Sequence, residues 1–319
     1  MLMTIAWFTM NRDVSGSGMS IKAGGPRFEL AAKGNQIRNL SLFPLADSEY
    51  ASGTSGTDPD DDSTYYRTGS ETEQIYLRFT GTNDDADAEL EPGGSGVFEF
   101  YVIPNQDGDL SIDFNLNILG FIDHTYTVDE EEVTELIEIT KLTTANSGLD
   151  ADEITDRQDA LDYLKGHILF FEEEGEPNLA SGAYYYKTPI VDNVYHFEKK
   201  NAIKGKLYPV RIHWMWTNTL GQITLKDNSS GRRSGTPVVK DGDTIDEDDE
   251  LTDKGAVIEL IKTNKDIVFK STTTITDSMI ENSDDATNFR ILSKGYNEAD
   301  QMIGTYVRYF LLEVSTTDN

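Results

Sequence analysis

Asp58, Asp60 and Asp62 stand at alternate positions, the spacing of the first ligands of a calcium loop, where oxygens from every second residue gather around a hard cation. Asn105, Asp107 and Asp109 repeat that spacing. Neither run continues as an EF-hand. Counting from Asp58, the sixth position is Ser63 instead of glycine and the twelfth is Gly69 instead of glutamate, and the run from Asn105 also lacks the closing glutamate. A third block, Asp241 to Asp253, holds eight acids in thirteen residues. Calcium at the two alternating runs is the only cofactor that the residue pattern raises. It competes with a plainer reading, in which acidic runs are solvated loops.

Other chemistry is thin. The chain has no cysteine, which excludes disulfides, thiolate zinc and a cysteine nucleophile. His124, His167, His196 and His213 are far apart in sequence and lie in or near expected strands, so a structural or exposed role is expected for each. The chain contains no G-x-S-x-G elbow, Walker A loop or H-E-x-x-H helix. With 57 acidic residues, some pair always falls at a glycosidase-like separation, so a pair alone selects nothing. The expectation is a protein that is not an enzyme.

Two aromatic tracts have binding potential. Tyr184 to Tyr186, beside Gly182 and Pro189, would make a carbohydrate-stacking platform if exposed. Trp214 and Trp216 share a strand face with Val210 and Ile212, which favours the core. Near the start, Ile5, Trp7 and Phe8 lie in an apolar, β-prone segment followed by Ser15-Gly-Ser-Gly18, whose glycines allow a hinge. That segment is either the tail of a signal peptide or a strand that pairs elsewhere.

The elements that would hold these residues are mostly strands. Leu110, Ile112, Phe114, Leu116 and Ile118 alternate with polar residues, the period of a half-buried strand. Ile75, Leu77 and Phe79 repeat the pattern, as do Val210 to Trp216, and 306–314 is another β-rich run. Residues 97–103 are apolar on both faces, as in an inner strand, and pair as a hairpin with 110–118 around Pro104 to Asp109. A helix is expected over Leu161 and Leu164, capped by Thr155 with Gln158 and stopped by Gly166. Residues 133–142 fit strand or helix, and a short helical turn is expected near 297–303. The expected fold is therefore all-β, a jelly-roll-like β-sandwich over 15–319 with one or two short helices and long insertions near 129–200 and 226–265. Residues 1–14 form a separate donor-strand candidate.

A hydrophobic fraction of 37% supports a packed core, and a net charge of −30 makes nucleic acid and anionic lipid poor partners. No apolar run is long enough to span a membrane as a helix.

Thr4 to Thr9 (TIAWFT), followed by Asn11, Val14, Gly18 to Ile21 and Ala23, resembles the start of secreted proteins of anaerobic Gram-positive bacteria. The layout is similar to the TasA/camelysin group. Residues 92–114, 164–171, 212–223 and 296–309 also look like blocks of such secreted proteins. The resemblance implies export, a jelly-roll-like fold and extracellular fibres in biofilms. The camelysin name implies a protease as well, but this chain has no zinc helix to support one. The leading expectation is a structural subunit of an extracellular filament or surface layer at the cell surface. It polymerises with itself by donating the strand that carries Ile5, Trp7 and Phe8. The alternatives are a monomeric adhesin or carbohydrate-binding module and, behind it, a secreted hydrolase.

Overall fold

The computed structural model describes residues 27–34, 36–37, 42–44, 65–69, 73–79, 92–128, 131–177, 184–217, 220–221 and 256–316; of 43–44, 126–128, 131, 173–177 and 184–187 it describes the backbone alone. Among the described residues twelve strands follow in chain order: β1 (Phe28–Lys33), β2 (Phe43–Pro44), β3 (Tyr65–Arg67), β4 (Gln74–Arg78), β5 (Ser95–Pro104), β6 (Gly108–Val128), β7 (Glu131–Glu138), β8 (Ile168–Pro177), β9 (Tyr184–Pro189), β10 (Val194–Ala202), β11 (Tyr208–Trp216) and β12 (Tyr309–Thr316). A seven-stranded sheet runs β2-β3-β1-β5-β11-β8-β9 and a five-stranded sheet runs β10-β6-β12-β4, with β7 paired to the far end of β6. The pairings are antiparallel. The fold is the mainly-β sandwich that the alternating sequence pattern predicts.

The register of β6 is the expected one: Leu110, Ile112, Phe114, Leu116 and Ile118 are buried, while Asp113 and Asn115 are partly exposed. The hairpin is not. β5 bonds β1 and β11 in one sheet, whereas β6 bonds β10 and β12 in the other, so 105–107 form an arch between layers. The inner faces of the two strands therefore meet across the core, with Phe100 edge-on to Phe114 at 5.5 Å. The outer face of β5 is also apolar. Tyr101 and Ile103 pack with Ala31, Tyr65 and Leu207 in a separate cluster. Such a strand belongs in the middle of its sheet, with both edges already taken.

Residues 129–200 contribute to both sheets: β8 and β9 extend the seven-stranded sheet, and β10 borders the five-stranded one. Helix α1 (Ala151–His167) precedes β8 and leads into the seven-stranded sheet from the β6–β7 side of the other sheet. Its N-cap is Asp150, five residues before the expected Thr155, and Asp150 and Glu153 form a reciprocal capping box at 2.9 Å each way. Thr155 lies inside the helix and donates its hydroxyl to the Ala151 carbonyl. Gly166 does not stop α1, which runs on to His167; glycine is required there because a Cβ would sit 2.1 Å from the Ile267 carbonyl oxygen.

Residues 133–142 resolve as β7 and a 3-10 turn, Ile139–Lys141. The turn expected near 297–303 belongs to a longer helix, α2 (Ala286–Tyr306), which buries Leu292, Tyr296, Ala299 and Ile303 at helical spacing. With 256–263 and Asp277–Glu281, α2 covers Leu169, Phe171 and Met215 on the outer face of the seven-stranded sheet. Among the described residues no helix is long and apolar enough to cross a membrane.

Candidate functional site

Of the expected calcium residues, Asn105 and Asp107 lie on the arch between β5 and β6, and Asp109 lies at the start of β6. One carboxylate oxygen of each aspartate is engaged by the protein. Asp107 Oδ1 accepts the Lys204 N–H at 2.7 Å, and Asp109 Oδ1 accepts the Asn201 N–H at 2.8 Å. The Asn105 N–H donates to the Arg27 carbonyl at 2.9 Å. The turn between β10 and β11 is thereby clasped to the arch. Gly205 N–H also donates to Pro104 O at 2.8 Å, and the Tyr208 hydroxyl accepts the Ile203 N–H at 2.9 Å. At the end of β10, Asn201 holds a positive φ that side-chain residues seldom adopt, and the clasp bonds its N–H. An N-x-D-x-D run thus serves a neighbouring turn as well as it would serve an ion. Among the described residues no group of three or more acidic or histidine side chains is placed to hold a metal. Asp58, Asp60, Asp62, Ile5, Trp7, Phe8 and the block from Asp241 to Asp253 lie outside the described residues.

The densest polar constellation was not legible in sequence. His167, at the end of α1, meets Asp300 of α2, 133 residues away, at 2.7 Å from Nδ1 to Oδ1. Its Nε2 faces the Val268 carbonyl oxygen at 2.8 Å. Both ring nitrogens thus have an oxygen within hydrogen-bond distance. The Trp216 Nε1–H also donates to Asp300 Oδ1, at 3.1 Å. Tyr296 stacks on the imidazole with ring centroids 3.9 Å apart, and its hydroxyl bonds the Thr217 hydroxyl at 2.7 Å. Burial pushes the Tyr296 pKa up, the Asp300 charge adds to the shift and Thr217 opposes it.

The His167 side chain is fully buried, and Asp300 is partly exposed at 15%. The centre joins α1, α2, β11 and the Lys265–Val268 helix, which fits a structural staple. The nearby cleft lined by Gly166, Leu169, Leu260 and Ile267 holds about 30 Å³, room for a water and not for a substrate.

His196 pairs with Asp113 at 2.6 Å on the open surface. Trp214 and Trp216 are in the core, as their shared face with Val210 and Ile212 predicts. The side chains of Tyr184 to Tyr186 lie outside the described set, and with them the platform expectation.

One sheet margin remains. β4 buries Ile75 and Leu77 fully in the core and pairs with β12 on one side. On the other side its described partners are a single bridge, Ile37 to Leu77, and the Arg78 N–H to Gln36 O bond. Comparison with known proteins adds nothing to this geometry: no family model, curated protein or solved structure matches the chain.

Proposed function

We propose that this chain is a structural, non-catalytic subunit of an extracellular filament or surface layer, joined to its neighbours by strand addition. The observation that supports it is the margin at β4. This five-residue strand has core-quality side chains and stands last in the order of its sheet. An edge of this kind accepts an added strand, which gains a ladder of backbone bonds and side-chain pockets on alternate residues. The segment from Thr4 to Thr9 has matching length and carries Ile5, Trp7 and Phe8 as anchors. The Ser15 to Gly18 linker lets it leave its own subunit. A strand given to the next subunit is a head-to-tail contact, which runs on into a filament unless it closes as a ring.

Deleting residues 1–12 tests the reading. The expected product is folded, does not polymerise, and melts higher when a peptide of residues 1–14 is added, because the peptide binds only the native state. A truncated protein that assembles as the parent does would overturn strand donation and move the adhesin reading forward.

A further inference from the structure

β6 spans 21 residues, about 70 Å of extended chain, and its two ends present exposed surfaces of opposite character. At its start is the clasped turn between β10 and β11. Lys199 and Lys200 at the end of β10, with Lys204 and Lys206 of the turn, stand around Ile203, which is 55% exposed. Lys199 and Lys206 lie over the Tyr208 ring at 5.2 and 5.6 Å. With Arg27 these cations outnumber the local carboxylates Glu198, Asp107 and Asp109, an exception in a chain of net charge −30. The backbone N–H groups of 201 and 203–206 are bonded, so the turn is a preorganised knob.

At the other end, residues 121–128 of β6 pair with β7 as a two-stranded ribbon. Residues 132–136 are exposed on both faces, with Leu136 at 55% and Val133 at 37% around Glu132 and Glu135. Thr125 and Thr134 bond across the ribbon at 2.9 Å. The base carries Asp123, with exposed Arg308 at 4.0 Å.

We propose that a second copy of this chain docks here: the acidic ribbon of one copy, through Glu132, Glu135 and Leu136, seats on the lysine knob of the next, around Ile203. The charges are complementary and each surface offers an aliphatic centre. The two surfaces differ, so the contact is heterologous and propagates. This inference deepens the filament reading but uses neither the N-terminal segment nor the β4 margin. Two copies of charge −30 repel at long range. The contact is therefore read near 0.15 M salt, where the Debye length is about 8 Å and only surfaces in contact feel one another.

The test is charge exchange in the full chain, followed by sedimentation velocity. Lys200→Glu/Lys204→Glu reverses the knob and leaves the two tyrosine-stacked lysines in place; Glu132→Lys/Glu135→Lys reverses the ribbon. Each variant, shown by circular dichroism and melting to be folded, is expected to self-associate at least tenfold more weakly than the parent. An equimolar mixture of the two recovers assembly, because the reversed knob meets the reversed ribbon. The proposal is overturned if either folded variant assembles like the parent, or if the mixture stays dissociated. Loss of assembly on deleting 1–12 with no response to charge reversal keeps strand donation and ends this inference; the opposite pattern keeps this inference and ends strand donation. A parent that stays monomeric up to about 1 mM, the weak end of specific association, overturns both.

Discussion

Phe114 is fully buried and meets both Phe28 and Phe100 edge-on. Phe114→Ala removes a ring from the contact between layers and is expected to cost about 3–5 kcal/mol by denaturant titration. Asp300 serves two donors at once, the His167 ring and the Trp216 indole. Asp300→Ala strands both and is expected to cost about 3–5 kcal/mol, whereas Asp300→Asn keeps an acceptor oxygen in place and costs less. Tyr296 sets a pH limit. Its folded pKa is raised above the ordinary value of 10 by burial and by Asp300, against the lowering effect of Thr217. The folded state therefore holds the phenol proton more tightly than the unfolded chain. That contribution is complete below about pH 10 and is lost as pH rises beyond it. Tyr101 is raised in the same direction by burial and by its bonds to Tyr65 and Glu99, so the two act together. Tyr296→Phe is expected to flatten, without abolishing, the fall in stability between about pH 10 and 12, followed by tryptophan fluorescence.

At the scale of elements, the capping box and the clasp carry the tests. Asp150→Ala removes one half of the α1 box and is expected to cost about 1 kcal/mol. Gly166→Ala would help an ordinary helix by up to about 1 kcal/mol, but here the added methyl meets the Ile267 backbone. The clash governs the sign, and a net loss of about 1–3 kcal/mol is expected, with hydrogen exchange rising first over 265–268. Asp107→Ala and Asp109→Ala each release one backbone N–H of the clasped turn and are expected to lower stability by about 1 kcal/mol. If the clasp alone accounts for these acids, the loss is the same in chelator and in millimolar calcium. A loss that appears only with calcium present would restore the ion-binding reading of this run.

On the whole-molecule scale the dominant fact is charge. Fifty-seven acids against 27 basic residues make the compact state repel itself, so the melting temperature is expected to rise from low salt to about 0.5 M sodium chloride as screening sets in. The strands were legible because burial on one face writes a period of two into the sequence. That pattern placed Ile112, Phe114, Ile212 and Trp214 in the core and predicted a mainly-β sandwich. Helix ends were less legible, since Asp150-x-x-Glu153 and Thr155-x-x-Gln158 are equally good capping patterns and only packing selects one. Local spacing also cannot say which sheet a strand enters. β5 and β6 have the loop length of a hairpin, yet the apolar outer face of β5 claims neighbours on both its edges and sends β6 to the other layer. His167 and Asp300 were invisible as a pair for a related reason: 133 residues separate them, and no periodicity records a contact made by two helices docking on a sheet. The same holds for the lysine knob and the acidic ribbon. Sequence alone determined the net charge and the period of the strands; only the tertiary structure decided that β6 holds the lysines and the acids at opposite ends, because a strand is long and stiff enough to separate surfaces that the chain lists in no particular order.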